Sequence, residues 1–218
     1  MARDIIIVGA GGFGKEVSWT LRRQNREAGE NVWNLLGFAD DDPAKHDGTY
    51  DTRRLLGTPE EAAARYPRAV FFIAVGSNAV RRSIADRLHA LGVEFPAVVD
   101  PSADISGTAE ILAGAYVGPQ AVVSVDAKVG HFAIVNARAG VGHDSSVGDF
   151  AQLCPGVSLS GSTRIGRGAF LGTNASTVPG VTVGEEAKVA AGMPVYRDVA
   201  PGATLSPFGV FKAQSPES

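Results

Sequence analysis

After Pro101 an aliphatic residue recurs at every sixth position: Ile105, Ile111, Val117, Val123, Val129, Val135, Val141, Val147, Leu153, Leu159, Ile165, Leu171, Val183, Val189 and Val195, with Thr177 the one break. A second series sits four residues after each and is mostly small, running through Ala115, Ala121, Ala133, Ser145, Ala151, Thr163, Ala169 and Ala187. Glycine often follows the aliphatic residue, as at Gly118, Gly130, Gly142 and Gly148. A period of six fits neither a helix nor a plain alternating strand. It predicts a solenoid of very short strands joined by tight turns, the hexapeptide form of the parallel β-helix. Bulky aliphatics fill the interior, and the small residues keep a narrow core from overfilling.

The first half has a different pattern. Ile5 to Val8 is a β-branched run without alternation, as expected of a parallel strand buried on both faces. It enters Gly9-Ala10-Gly11-Gly12-Phe13-Gly14, with glycines at G-x-G-x-x-G spacing, and a helix is expected from about Lys15 to Ala28, with Val17, Leu21 and Trp19 inward. Strand, glycine loop and helix in that order form a phosphate cradle: glycines let the backbone approach, and the helix start offers N–H groups and a positive dipole end. A second strand, Leu35 to Ala39, ends in Asp40-Asp41-Asp42, which either accepts hydrogen bonds from a ribose or base or forms a solvated turn before Pro43. A third, Val70 to Val75, leads to Gly76-Ser77-Asn78 and a helix from about Ala79 to Leu91, where Arg81 or Arg82 reaches a phosphate or lies in solvent. A fourth strand is expected at Phe95 to Val99. Alternating β and α predicts a small Rossmann-like parallel sheet, suited to a mononucleotide, over residues 1–98, with the β-helix and a C-terminal tail over 99–218.

Composition narrows the classes. A net charge of −3 argues against nucleic acid and anionic membranes as main partners, since both reward a basic surface. Cys154 is the only cysteine, which excludes an intrachain disulfide and fits a reducing cytoplasm. The longest apolar run, Ala69 to Val75, is far below the roughly 20 residues that cross a bilayer. Met1-Ala2-Arg3-Asp4 leads directly into Ile5, reading as the approach to a buried strand and not as a signal peptide.

The repeat resembles the left-handed β-helix of hexapeptide acyltransferases, in which three six-residue faces make an 18-residue coil; the handedness is implied by that resemblance, and the repeat then spans about five coils. On such a coil His143 is an outward residue, followed by Asp144. An imidazole oriented by a carboxylate is a common base near neutral pH. One coil later the stacked slot is Gly161, which leaves room beside the ring. The bland alternative is a surface histidine beside a solvated aspartate. His131 lies 12 residues before His143 and points from a different face, so the two do not chelate one metal. Cys154 follows an inward leucine and reads as a structural thiol.

With both halves considered, the chain resembles the bacterial sugar acyltransferases of the sialic acid O-acetyltransferase type, which include N-acetyltransferases of UDP-linked amino sugars and of GDP-perosamine. The match runs over roughly residues 3–200 and is carried by Val8-Gly9-Ala10-Gly11-Gly12-Phe13-Gly14-Lys15-Glu16-Val17, Gly37-Phe38-Ala39-Asp40-Asp41, Ile73-Ala74-Val75-Gly76-Ser77-Asn78 with Arg81, and Val135-Asn136 through Gly142-His143-Asp144. The resemblance implies an acetyl-CoA-dependent acetyltransferase without a metal, acting on the amino group of a nucleotide-linked amino sugar or, alternatively, on a sugar hydroxyl. It implies that Gly9, Gly11, Gly12, Phe13, Gly14, Asp40, Asp41, Asn78 and Arg81 hold the nucleotide and Asn136 the sugar. His143 is the implied general base, oriented by Asp144. Gly161, Thr173 and Ala191 are implied to line the coenzyme A channel, in a homotrimer whose active sites lie between neighbouring β-helices. Two positions depart from the family. Where members often carry a second histidine, nine residues after the base, this chain has Gln152. The tail reads Gly209-Val210-Phe211-Lys212-Ala213, keeping a basic residue, Lys212, without the usual Pro-Ala pair.

Competing classes are a nicotinamide-dependent oxidoreductase built on the first half, a γ-carbonic-anhydrase-like metalloprotein, and a non-enzymatic scaffold. The metalloprotein needs three histidines, and the repeat supplies only His131 and His143. The scaffold leaves the His-Asp pair and the glycine loop unexplained.

Overall fold

The computed structural model describes residues 2–45 and 54–211 and divides into two compact units, Met1–Pro101 and Ser102–Ser218. In the first unit, β1 (Arg3–Val8) lies between β2 (Trp33–Ala39) and β3 (Val70–Ile73), all parallel. Ile5, Ile6 and Ile7 are fully buried, as a strand covered on both faces requires. Helix α1 (Gly12–Ala28) follows β1 and ends at Gly29 in the left-handed conformation. Its inner side carries Val17 and Leu21, but Trp19 is exposed, with the Arg23 guanidinium 4.8 Å from its ring centroid.

Two expectations need correction. Of Phe95 to Val99 only Val98–Val99 is strand, and it is not a member of this three-stranded sheet. Pro96 has no N–H for a ladder, which ends any strand that begins at Phe95. A short helix, α2 (Pro59–Arg65), was not anticipated; its capping box joins Thr58 and Glu61, with Pro59 in the first turn. Helix α3 (Asn78–His89) starts from a Ser77 cap and contacts β3 and α2.

The second unit is a three-faced parallel β-helix. Consecutive two-residue strands fall on three sheets in rotation, so Ile134–Val135 pairs with Gln152–Leu153, and Gly140–Val141 with Ser158–Leu159, each 18 residues on. One sheet has six strands, so the solenoid reaches a sixth turn, beyond the five expected. The aliphatic series is buried from Val117 onward. At every corner from Gly114 to Gly192, one residue in six has positive φ, among them Asp126, Asp144 and Asn174. This is the demand of a type II turn at its third residue, which suits Gly and Asn or Asp. Three six-residue faces joined by such corners are the geometry of the left-handed β-helix. Phe132 and Phe150 also occupy these corners, where a bulky residue is unusual. Their rings stack at 5.0 Å with an interplanar angle of 6°, and Gly114 beneath leaves space for Phe132. Among the described residues, no helix is long and apolar enough to cross a membrane.

Candidate active site

In the first unit the end of β1 and the start of α1 open a cleft of about 320 Å³, lined by Gly9, Gly11, Gly12, Phe13, Asp40 and Asp41 among others. The glycines divide into two kinds. Gly9 has φ of 105°, and a Cβ there would strike Ala74 O; one at Gly14 would overlap Gly9 O. These two let the backbone close on itself. Around Gly11 and Gly12 a Cβ would meet nothing within 4 Å, so their bareness keeps the cleft open. Helix α1 begins there without a side-chain cap and without an acidic residue in its first turn, which leaves its positive end toward the cleft.

Asp40 holds this loop. Its Oδ2 accepts from Ala10 N at 2.7 Å and from Lys45 Nζ at 3.2 Å, and its Oδ1 accepts from Asp42 N at 3.0 Å. Burial alone would raise its pKa, but these donors outweigh it and hold the carboxyl below the ordinary range. Asp41 lines the same cleft and pairs with Arg87 at 2.7 Å. Asn78 and Arg81 stand differently. Arg81 is 1% exposed and donates to Val75 O at 2.8 Å, Gly76 O at 3.3 Å and Asn78 Oδ1 at 3.0 Å. Burial lowers its pKa to about 10, still charged at neutrality. Its guanidinium shapes the loop whose Val75 and Gly76 line the cleft.

In the second unit His143 stands on the turn after Gly140–Val141. Its Nδ1 is 2.7 Å from Asp144 Oδ2, and the side chains are 61% and 60% exposed. An ionised carboxylate only accepts, so the contact places a proton on Nδ1, and in the neutral ring Nε2 is then the nitrogen with the lone pair. Nε2 lies over Gly161, where any Cβ would overlap the imidazole. The arrangement is an exposed imidazole with a bare backbone beside it.

Gly161, Thr173 and Ala191 share one turn slot, two residues after the inward aliphatics Leu159, Leu171 and Val189. Thr173 and Ala191 stack on a different corner from Gly161, and Thr173 lines a cleft of about 340 Å³ with Arg138, Pro155, Gly156 and Asn174. The face between the two corners is paved by the small outward residues Gly140, Ser158 and Ser176. Asn136 accepts from Ala137 N at 2.7 Å, leaving its amide nitrogen to donate elsewhere. Gln152 Nε2 donates to Cys154 Sγ at 3.7 Å, while its Oε1 is buried without a partner. Burial raises the Cys154 thiol pKa, partly offset by Gln152, as expected of an unreactive thiol. Lys212 lies outside the described residues.

Residues 4–88 match the family described as the PglD N-terminal domain, and residues 162–197 match the hexapeptide repeat of succinyl-transferase. The acetyltransferase domain of PglB from Neisseria gonorrhoeae, solved in complex with acetyl coenzyme A, superimposes with a TM-score of 0.87 at 30% identity, over 97% of this chain and 100% of that one. The chain belongs to the hexapeptide-repeat sugar acetyltransferases. PerB from Caulobacter crescentus, solved with CoA and GDP-perosamine, is 28% identical over 95% of this chain and 96% of its own, with a TM-score of 0.85. WeeI from Acinetobacter baumannii is 25% identical over 96% and 99%, with a TM-score of 0.82. Family membership accounts for both halves of this acetyltransferase at once, since the matches to these relatives cover 97%, 95% and 96% of the chain.

Proposed function

We propose that the protein transfers acetyl from acetyl-CoA to the amino group of a nucleotide-linked amino sugar, with His143 as general base. The observation that carries this is the His143–Asp144 pair, with Nε2 over the bare backbone of Gly161. Nε2 takes a proton from the acceptor nitrogen as it attacks the thioester carbonyl, and Asp144 favours the imidazolium that forms. The sulfur leaves as coenzyme A thiol once protonated. The likeness to PerB, solved with a GDP-linked sugar and CoA, supports both substrate classes.

The first unit takes the nucleotide: Gly11 and Gly12 admit the diphosphate, the α1 start attracts its charge, and Asp40 and Asp41 border the ribose or base. Arg81 acts through Asn78 and the loop carbonyls. Along the second unit, acetyl-CoA follows the small-residue face, meeting Gly161 at its acyl end and Thr173 and Ala191 further along. Asn136 and Gln152 offer amide groups to the sugar and the thioester.

An exposed base needs a second wall to exclude water. Val122 and Val125 are 45% and 50% exposed on the same face and corner stack, so a second copy of the chain is the natural cover. We place the active site between neighbouring β-helices of a homotrimer in the cytoplasm, where nucleotide-linked sugars and reduced cysteine are both at home.

Thiol release from acetyl-CoA, measured across UDP-, GDP- and dTDP-linked amino sugars and free sialic acid, tests the reading. An amino-sugar nucleotide should be turned over and sialic acid left untouched. Release only with hydroxyl acceptors would overturn the amine assignment. Light scattering that gives a monomer at micromolar protein would overturn the shared site.

A further inference from the structure

The one break in the aliphatic series and two oddities in the small series meet at one place. Thr177 stands where every other coil has an aliphatic side chain, and Ser145 and Thr163 stand on consecutive coils where alanine usually sits. All three are buried, at 7%, 1% and 0% exposure. A hydroxyl in an apolar interior costs free energy unless it is bonded, and here each one is. Thr163 Oγ1 lies 3.1 Å from Thr177 Oγ1 and donates to Ser160 O at 2.9 Å. Ser145 Oγ accepts from Thr163 N at 3.0 Å and donates to Ser160 O at 3.1 Å.

This network replaces backbone bonds that the rest of the solenoid keeps. Elsewhere, adjoining strands pair through both their residues, but Ser158–Leu159 and Ser176–Thr177 pair only through Ser158 and Ser176. Ser160 N, which by the repeat should reach the carbonyl of Thr177, donates instead to Thr177 Oγ1 at 3.0 Å, and Ser160 Oγ donates to that carbonyl at 2.6 Å. The turns are altered as well. Every other turn from Ser106 to Met193 is closed by a backbone N–H to carbonyl bond of 3.0–3.3 Å. In the turns 142–145, 160–163 and 178–181 that contact does not reach hydrogen-bonding geometry. These three stack on one corner, the corner that carries His143 and Gly161.

We propose that Ser145, Thr163 and Thr177 are positioning residues that set the Ser160–Gly161 peptide against the His143 imidazole. The inference rests on His143 being the base. Peptide planarity supplies the lever: two hydroxyls hold Ser160 O inward, so the Gly161 N–H is fixed outward, on the residue whose missing Cβ leaves room for the imidazole. Aliphatic side chains at the three sites would let the turns close and return Gly161 to the regular rise of the coil. The polar break is therefore a deliberate dislocation of the solenoid, placed where the acyl group must sit.

Thr177→Val keeps the shape, removes the hydroxyl and restores the repeat. Its melting temperature should hold or rise while kcat falls about tenfold or more, the order expected for a misplaced reacting group. KM for acetyl-CoA should change far less than kcat. Thr177→Ser should recover most of the rate, and Thr163→Val, which cuts the network from the neighbouring coil, should reproduce the same split. If either valine variant folds and keeps wild-type kcat while His143→Asn is crippled, the positioning role is overturned and the base assignment stands. A fully active His143→Asn overturns both. Equal loss of stability and rate in Thr177→Val and Thr177→Ser would reduce the network to a structural one and overturn the proposal.

Discussion

Asp144 Oδ2 meets His143 Nδ1 at 2.7 Å from a backbone whose φ is 58°. The left-handed corner turns the Asp144 side chain back beside its neighbour, so the repeat's own turn geometry brings the carboxylate to the ring. No other element is needed to bring the pair together.

His143→Asn keeps a polar side chain of similar size but cannot take a proton. We expect kcat to fall by about 10²–10⁴-fold, the usual worth of positioned proton transfer. Acetyl-CoA affinity, measured by calorimetry, should survive. An amine acceptor should show the lower end of that range, with the deficit shrinking as pH rises, and a hydroxyl acceptor the upper end.

Asp144→Asn isolates the carboxylate, because asparagine also tolerates the left-handed corner. The rate should drop less than in His143→Asn, with melting temperature unchanged. A drop as large as that of His143→Asn would mean Asp144 does more than orient the ring and favour its charged form.

Gly161→Ala adds one carbon where the imidazole lies. The φ of Gly161 is not positive, so alanine suits the backbone and the protein should fold. The ring must swing away, and activity should collapse while circular dichroism stays native. Wild-type turnover would show that Nε2 works from some other rotamer.

The two kinds of loop glycine should separate cleanly. Gly11→Val has open space and should fold, raising KM for the sugar nucleotide while leaving acetyl-CoA affinity nearly unchanged. Gly14→Ala drives a carbon into Gly9 O and should lower the melting temperature whether or not substrate is present. The reverse pattern would assign the cleft's open side to Gly14.

Asp40 carries a pH signature. Its folded pKa is held below the unfolded value of about 3.9, so its contribution to stability is complete above that value and is lost as pH falls through the folded one. The gap in melting temperature between wild type and Asp40→Asn should be wide at neutral pH and close toward acid. A gap independent of pH would mean that the Ala10 and Asp42 bonds do not depend on the Asp40 charge.

The period of six made the solenoid plain from the residues, because each side of a narrow prism needs one inward aliphatic and tolerates little else. Its corner series was harder to see. Gln120, Phe132, Arg138 and Glu186 occupy left-handed corners as readily as the glycines do, since stacking with the adjoining coils fixes the turn whatever its occupant. The His143–Asp144 pair and the glycine loop were legible as local motifs. Arg81 was singled out, but its burial was not legible, because nothing in the chain marks which arginine will turn inward to the loop carbonyls. Helix α2 had a readable signal in Thr58-Pro59-Glu60-Glu61. The hydroxyl network had only half of one: Thr177 stood out as a break, but Ser145 and Thr163 passed as small residues, and only stacking brings the three together.

The 18-residue coil also makes this half of the molecule a ruler. Each rung stands about 4.8 Å above the last, so positions along a face are available only in whole steps of that size. Removing one complete coil beyond Gly161 would shorten the face by a single graduation and leave every corner in phase. Removing one residue fewer would put the following aliphatics out of phase with the interior. The length of the face past Gly161 is therefore a counted quantity, adjustable by coils and fixed against anything finer.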